Sequence, residues 1–134
     1  MLDFSPAVGS YDGVTATLSM FELSRGEIEG LVRKWWRWMK PGGCVMICTF
    51  GAGDCEGAED NMYDVDGECA SGVPWRFMGR KVFLTVFTKG GWTRMMQAAG
   101  FEIVYTETNE FKVPAEDCDD EMHYFVIARR PVSS

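Results

Sequence analysis

Residues Tyr11 to Leu18 form a mixed apolar run rich in Val and Thr, opened by Gly9 and Ser10, a pattern that predicts a buried strand. The periodicity then changes. Ser24 and Glu27 are spaced as a capping box, in which hydroxyl and carboxylate each accept an amide hydrogen bond at a helix start. Beyond them Ile28, Leu31, Val32, Trp35, Trp38 and Met39 recur at helical spacing and make one apolar stripe. Arg33, Lys34, Arg37 and Lys40 fall off it toward the end, where the helix dipole favours positive charge. Pro41-Gly42-Gly43 is placed to stop this helix, and Cys44 to Phe50 reads as a second buried strand. Two strands joined through such a helix are expected to lie parallel in one sheet. By period two, Cys44 and Cys48 share a face and are expected in the core.

From Gly51 to Gly72 the periodicity lapses, and an irregular, mobile loop is expected. Arg80 to Phe87 reads as extended. Trp92, Met95, Met96 and Ala99 mark a second helix, with Gly100 as its C-terminal cap and Phe101 making the apolar contact. Two more strands are predicted, Phe101 to Glu107 and His123 to Arg129, joined by an acidic loop around Glu116 to Glu121.

The 134 residues suffice for one domain. Asp and Glu number 20 against 13 Lys and Arg, a formal charge of -7. Seven of the acids lie between Asp54 and Glu68, where there is no base, so the remainder of the chain is balanced. No basic face is available for a nucleic-acid backbone. No apolar run approaches the about 20 residues of a membrane span, and no secretory leader is visible, so a cytoplasmic protein is expected. Five cysteines without paired spacing read as reduced thiols, and with His123 the lone histidine no metal site is expected. Gly51-Ala52-Gly53 lacks the third glycine of a dinucleotide turn, position 56 being Glu. Asp64-Val65-Asp66-Gly67 lacks the flanking ligands of a calcium loop.

Four local strings, in order, carry a resemblance. Tyr11-Asp12-Gly13-Val14 leads into Leu18-Ser19-Met20-Phe21-Glu22-Leu23; Met39-Lys40-Pro41-Gly42-Gly43 precedes the second strand; Ala98-Ala99-Gly100-Phe101-Glu102 opens another; and His123 to Pro131 closes the chain. Together they resemble the C-terminal half of a class I S-adenosylmethionine-dependent methyltransferase of the small-molecule type. The resemblance implies an α/β fold: a partial Rossmann-like sheet of parallel strands with a final antiparallel strand, the N-terminal half of the fold missing. Residues 1–134 are then the C-terminal half of such a domain, with an acidic lid-like loop at about 51–79. The family's Gly-x-Gly-x-Gly turn and its ribose-binding acid have no counterpart in this sequence.

The resemblance further implies methyl transfer from S-adenosylmethionine to a small-molecule acceptor. Leu18, Ser19 and Met20 would lie beside the cofactor; Phe50, Trp75 and Phe77 would cover the substrate; His123 or Glu22 would serve as the base. The alternative is a non-catalytic remnant acting as an interaction module. In either case the Tyr11 strand has a bare edge, and the expected occupant is a second copy or a complementing N-terminal half.

Overall fold

The computed structural model describes residues 2–132. Tyr11–Thr17 (β1) and Met39–Thr49 (β2) run parallel, in register from Gly13↔Cys44 to Thr17↔Cys48, and are joined by helix α1, Arg25–Trp38. The capping box is present in full: Ser24 Oγ accepts from the Glu27 amide at 3.2 Å, and Glu27 Oε1 accepts from the Ser24 amide at 2.9 Å. The helix stops at Trp38, ahead of the Pro-Gly-Gly triplet, because Met39 already pairs with Tyr11 as the first residue of β2. Gly43 is needed within that strand: a Cβ there would come to 2.9 Å from the carbonyl oxygens of Asp12 and Lys40.

Two strands complete the sheet. Glu121–Arg129 (β6) inserts between β2 and Glu102–Phe111 (β5), antiparallel to both, giving the order β1-β2-β6-β5. Helix α2, Lys89–Ala98, precedes β5 and ends as expected: Gly100 sits at φ +105°, its amide bonds Gln97 O and the Phe101 amide bonds Met96 O. Val45, Ile47, Val126 and Ala128 alternate onto one sheet face and meet Ile28, Leu31, Val32 and Trp35 of α1 and Trp92 and Met96 of α2 in the main core. Trp36, off the stripe, is instead covered by the Arg130 guanidinium, 3.7 Å above its ring.

The opposite sheet face has no covering helix. Its residues include Cys44, Met46 and Tyr105, all exposed, and this corrects the expectation that Cys44 packs in the core; Cys48, four residues on, is buried. Period two assigned the face correctly, but only the end of that face nearest Phe50 is covered.

The segment from 51 to 79 also differs from an irregular loop. It makes two short 3-10 turns, Ala52–Asp54 and Asp60–Met62, and then a strand, Cys69–Phe77 (β3), which pairs antiparallel with Arg80–Phe87 (β4). This hairpin has its own core, in which Phe50, Ala52 and Cys55 meet Ala70, Val73, Trp75, Leu84 and Val86. Burial pushes the Cys55 and Cys69 thiols up to about 12, consistent with reduced, unreactive core residues. Three of the acids that precede β3 converge on Arg25. Arg25, in the first turn of α1, bonds Asp64 Oδ2 at 2.9 Å and both oxygens of Asp66, at 2.9 and 2.7 Å, with Glu68 at 3.8 Å. The mobile loop expected at Gly51 to Gly72 is therefore a clamped one.

Candidate active site

In an open sheet the carboxyl ends of parallel strands are where loops diverge and leave a crevice. Here β1 and β2 end side by side. Leu18 follows β1 with φ +48°, a left-handed backbone that costs a side-chain-bearing residue on the order of 1 kcal/mol. Its amide still bonds Cys48 O at 2.8 Å, so the turn is tied to β2, and the chain swings back to place Ser19, Phe21 and Glu22 over the strand ends. Phe21 O then accepts from the Thr85 amide of β4 at 2.9 Å, which fastens the hairpin to the same turn.

These three connections enclose a cavity of about 640 Å³. Leu18, Ser19, Phe21 and Glu22 line it from the β1 turn, Phe50 from the end of β2, Trp75, Phe77 and Leu84 from the hairpin, and Glu121 from the start of β6. Phe50 is the centre of its wall: the ring lies 4.8 Å from Phe21 and 4.8 Å from Trp75. A chamber of this size, walled by aromatic and aliphatic groups with few polar side chains, suits a small organic molecule.

Of the residues singled out in the sequence, Leu18, Ser19, Glu22, Phe50, Trp75 and Phe77 come together in this chamber. Met20 does not. It is 5% exposed and packs in the main core beneath the turn. His123 stands behind the wall, with Phe50 at 6.2 Å and Phe111 at 5.6 Å, both rings nearly parallel to the imidazole. Its Nε2 meets Glu121 Oε1 at 2.6 Å, so Glu121 is the member of the pair that faces the cavity. Sequence reading passed over Glu121 because it closes an acidic stretch taken for loop. The available signal was the period-two alignment of residues 121, 123 and 125 on one strand face.

A larger hollow, about 790 Å³, lies across Trp75 from the first. Charged side chains of both signs line it, including Arg76 and Asp119, which pair with each other at 3.3 Å. It lies away from the β1 turn, and its charges answer one another, so the smaller apolar chamber is the better ligand site. A third groove, about 480 Å³, follows the free edge of β1 past Tyr11, Trp35 and Trp38, and Ser19 lines both this groove and the apolar chamber.

The order β1-β2-β6-β5, with two parallel strands followed by an antiparallel last strand inserted beside them, is that of a partial Rossmann-like methyltransferase sheet. The fold is that of the class I S-adenosylmethionine-dependent methyltransferases. No family profile and no curated protein matches the chain. Solved structures do. A SAM-dependent methyltransferase from Methanosarcina mazei superposes with a TM-score of 0.73 at 16% identity, over 98% of this chain and 65% of that one. An S-adenosylmethionine-dependent methyltransferase from Mesorhizobium loti gives 0.63 at 18% identity, over 97% and 67%. The 1,6-didemethyltoxoflavin-N1-methyltransferase of Burkholderia thailandensis, solved with its substrate and S-adenosylhomocysteine, gives 0.60 at 13% identity, over 97% and 48%. The chain thus spans about two thirds or less of the length of these structures.

Proposed function

We propose that this chain carries the acceptor side of an S-adenosylmethionine-dependent methyl-transfer site acting on a small molecule. The observation that supports it is the apolar chamber at the carboxyl ends of β1 and β2, which gathers six of the eight residues expected there. The fit to the cofactor is confined to one end. Leu18 and Ser19 offer a turn beside the sulfur, and Ser19 links the chamber to the groove along β1. No glycine turn for the methionine end and no acid for the ribose is available, so those contacts come from another polypeptide segment lying against β1. S-adenosylmethionine supplies, when bound, an electrophilic methyl group on a positively charged sulfur.

The chain's own work is alignment and exclusion of water. Phe50, Trp75 and Phe77 fix the plane of the acceptor, and the hairpin with the segment before it, residues 51–79, forms the cover. An acceptor with a proton to lose gives it to Glu22, or to Glu121 backed by His123, which the Phe50 and Phe111 rings hold in one orientation. The acidic surface suits a small molecule rather than a nucleic acid. Free thiols, those of Cys48, Cys55 and Cys69 buried, suit a cytoplasmic site of action, and among the described residues no helix is long and apolar enough to cross a membrane.

Amide chemical shifts on addition of millimolar S-adenosylhomocysteine test this reading. Weak, fast-exchange shifts at Leu18 and Ser19 are expected, with no measurable heat by calorimetry because half the contacts are missing. Absence of shifts at that turn, or shifts clustered elsewhere, overturns it.

A second reading rests on a different observation. Among the described residues β1 is the outermost strand of its sheet, with no partner strand on one side. Such an edge recruits another strand, so the chain can also act as an interaction module that binds no cofactor. The same titration separates the two.

A further inference from the structure

We infer that the apolar chamber selects a small organic amine, bound through a positively charged nitrogen on a flat apolar body. The inference names an acceptor class for the methyl-transfer site and rests on that reading for its catalytic meaning; the selectivity itself does not.

Three observations carry it. The chamber wall is aromatic: Phe21 stacks on Phe50, Trp75 lies tilted against Phe50, and the exposed Phe77 and Phe83 rings also line the space, where the open faces of such rings attract a cation held within about 6 Å. Its ionisable groups are of one sign: Glu22 at the β1 turn and Glu121 at the start of β6, with no Lys, Arg or His among the lining residues. Glu121 is also sheltered, its side chain 13% exposed, and its one protein partner in that corner is the His123 ring nitrogen on Oε1. The His123 contact engages Oε1 and leaves the second carboxylate oxygen of Glu121 for a ligand.

An anion entering this space meets two carboxylates and no base to answer them. A neutral ligand gains from the aromatic walls alone, whereas an ammonium gains from the walls and the carboxylates together. Of the hairpin's bases, Arg76 and Lys81 line the hollow on the far side of Trp75, and neither they nor Arg80 line this chamber.

The test uses benzyltrimethylammonium, benzyl alcohol and phenylacetate as cationic, neutral and anionic probes of one ring size, titrated into the chain without cofactor and followed by the Trp75 and Glu121 amide signals. The cation is expected to bind about tenfold more tightly than the alcohol, and phenylacetate not at all. In the double variant Glu22→Gln, Glu121→Gln the cation is expected to fall to the affinity of the alcohol. The alcohol's own affinity should not change, which shows that the chamber still forms. Equal binding of cation and alcohol by the unaltered chain, or a cation preference that survives the double variant, overturns the proposal. Because S-adenosylhomocysteine is absent, this outcome is independent of whether the cofactor binds at the β1 turn.

Discussion

Single residues with left-handed backbones mark where this chain departs from what its sequence advertises. Met78 has φ +51° and Gly79 φ +75°, the two central positions of the β3-β4 turn. Tight hairpins favour Asn-Gly there, because asparagine tolerates the left-handed region and methionine does not. Met78→Asn is therefore expected to stabilise the chain by about 1 kcal/mol, read as a higher midpoint in urea unfolding. A midpoint that falls would show that Met78 makes a contact worth more than its strain. The missing Asn-Gly signal is also why Cys69 to Phe77 was not legible as a strand. Ser71-Gly72 and Pro74 interrupt its alternation, and the register slips between Ala70 and Val73. By contrast, Ser24 with Glu27 and Gly100 with Phe101 announced the ends of two helices, since a cap is a local event whose chemistry is written in neighbouring residues.

Among the elements, α1 was legible from its helical stripe and β1 and the second half of β2 from their apolar runs, whereas residues 39–43 of β2 read as the end and stop of the helix. The clamp on the acidic segment was not legible, since Arg25 and Asp66 are distant in sequence and nothing in either position signals the other. The pair has a direction in pH. Hydrogen bonding to Arg25 lowers the Asp66 carboxyl below its ordinary range, so the folded state binds this proton less readily than the unfolded chain. The clamp is thus complete above the usual carboxylate range and is lost as pH falls through the lowered value. Arg25→Gln is expected to lower the amide protection factors across residues 64–68 at neutral pH to those the unaltered chain shows only in acid. Exchange that remains unchanged would mean that Arg94, which also pairs with Glu68, suffices to hold the segment.

Across the whole molecule, one sheet face is packed and the other is not. The main core uses the face toward α1 and α2, while Cys44, Met46 and Tyr105 lie exposed on the other, and β1 lacks a neighbour on its outer side. Concentration-dependent association is the expected behaviour, and Thr15→Lys, placing a charge on the exposed edge strand, is expected to reduce it in sedimentation velocity. A monodisperse monomer at high concentration would refute the role of the edge. Sequence could name the strand but not its neighbours, because pairing partners are set by the sheet order and not by any residue within β1. That order has a kinetic consequence. β2, inside the sheet, finds its second partner only in β6, which follows the hairpin and both helices along the chain, so those elements form around a strand still waiting for closure. Folding is then limited by a long-range search, and loss of β6 leaves β2 paired with β1 alone and β5 without its partner.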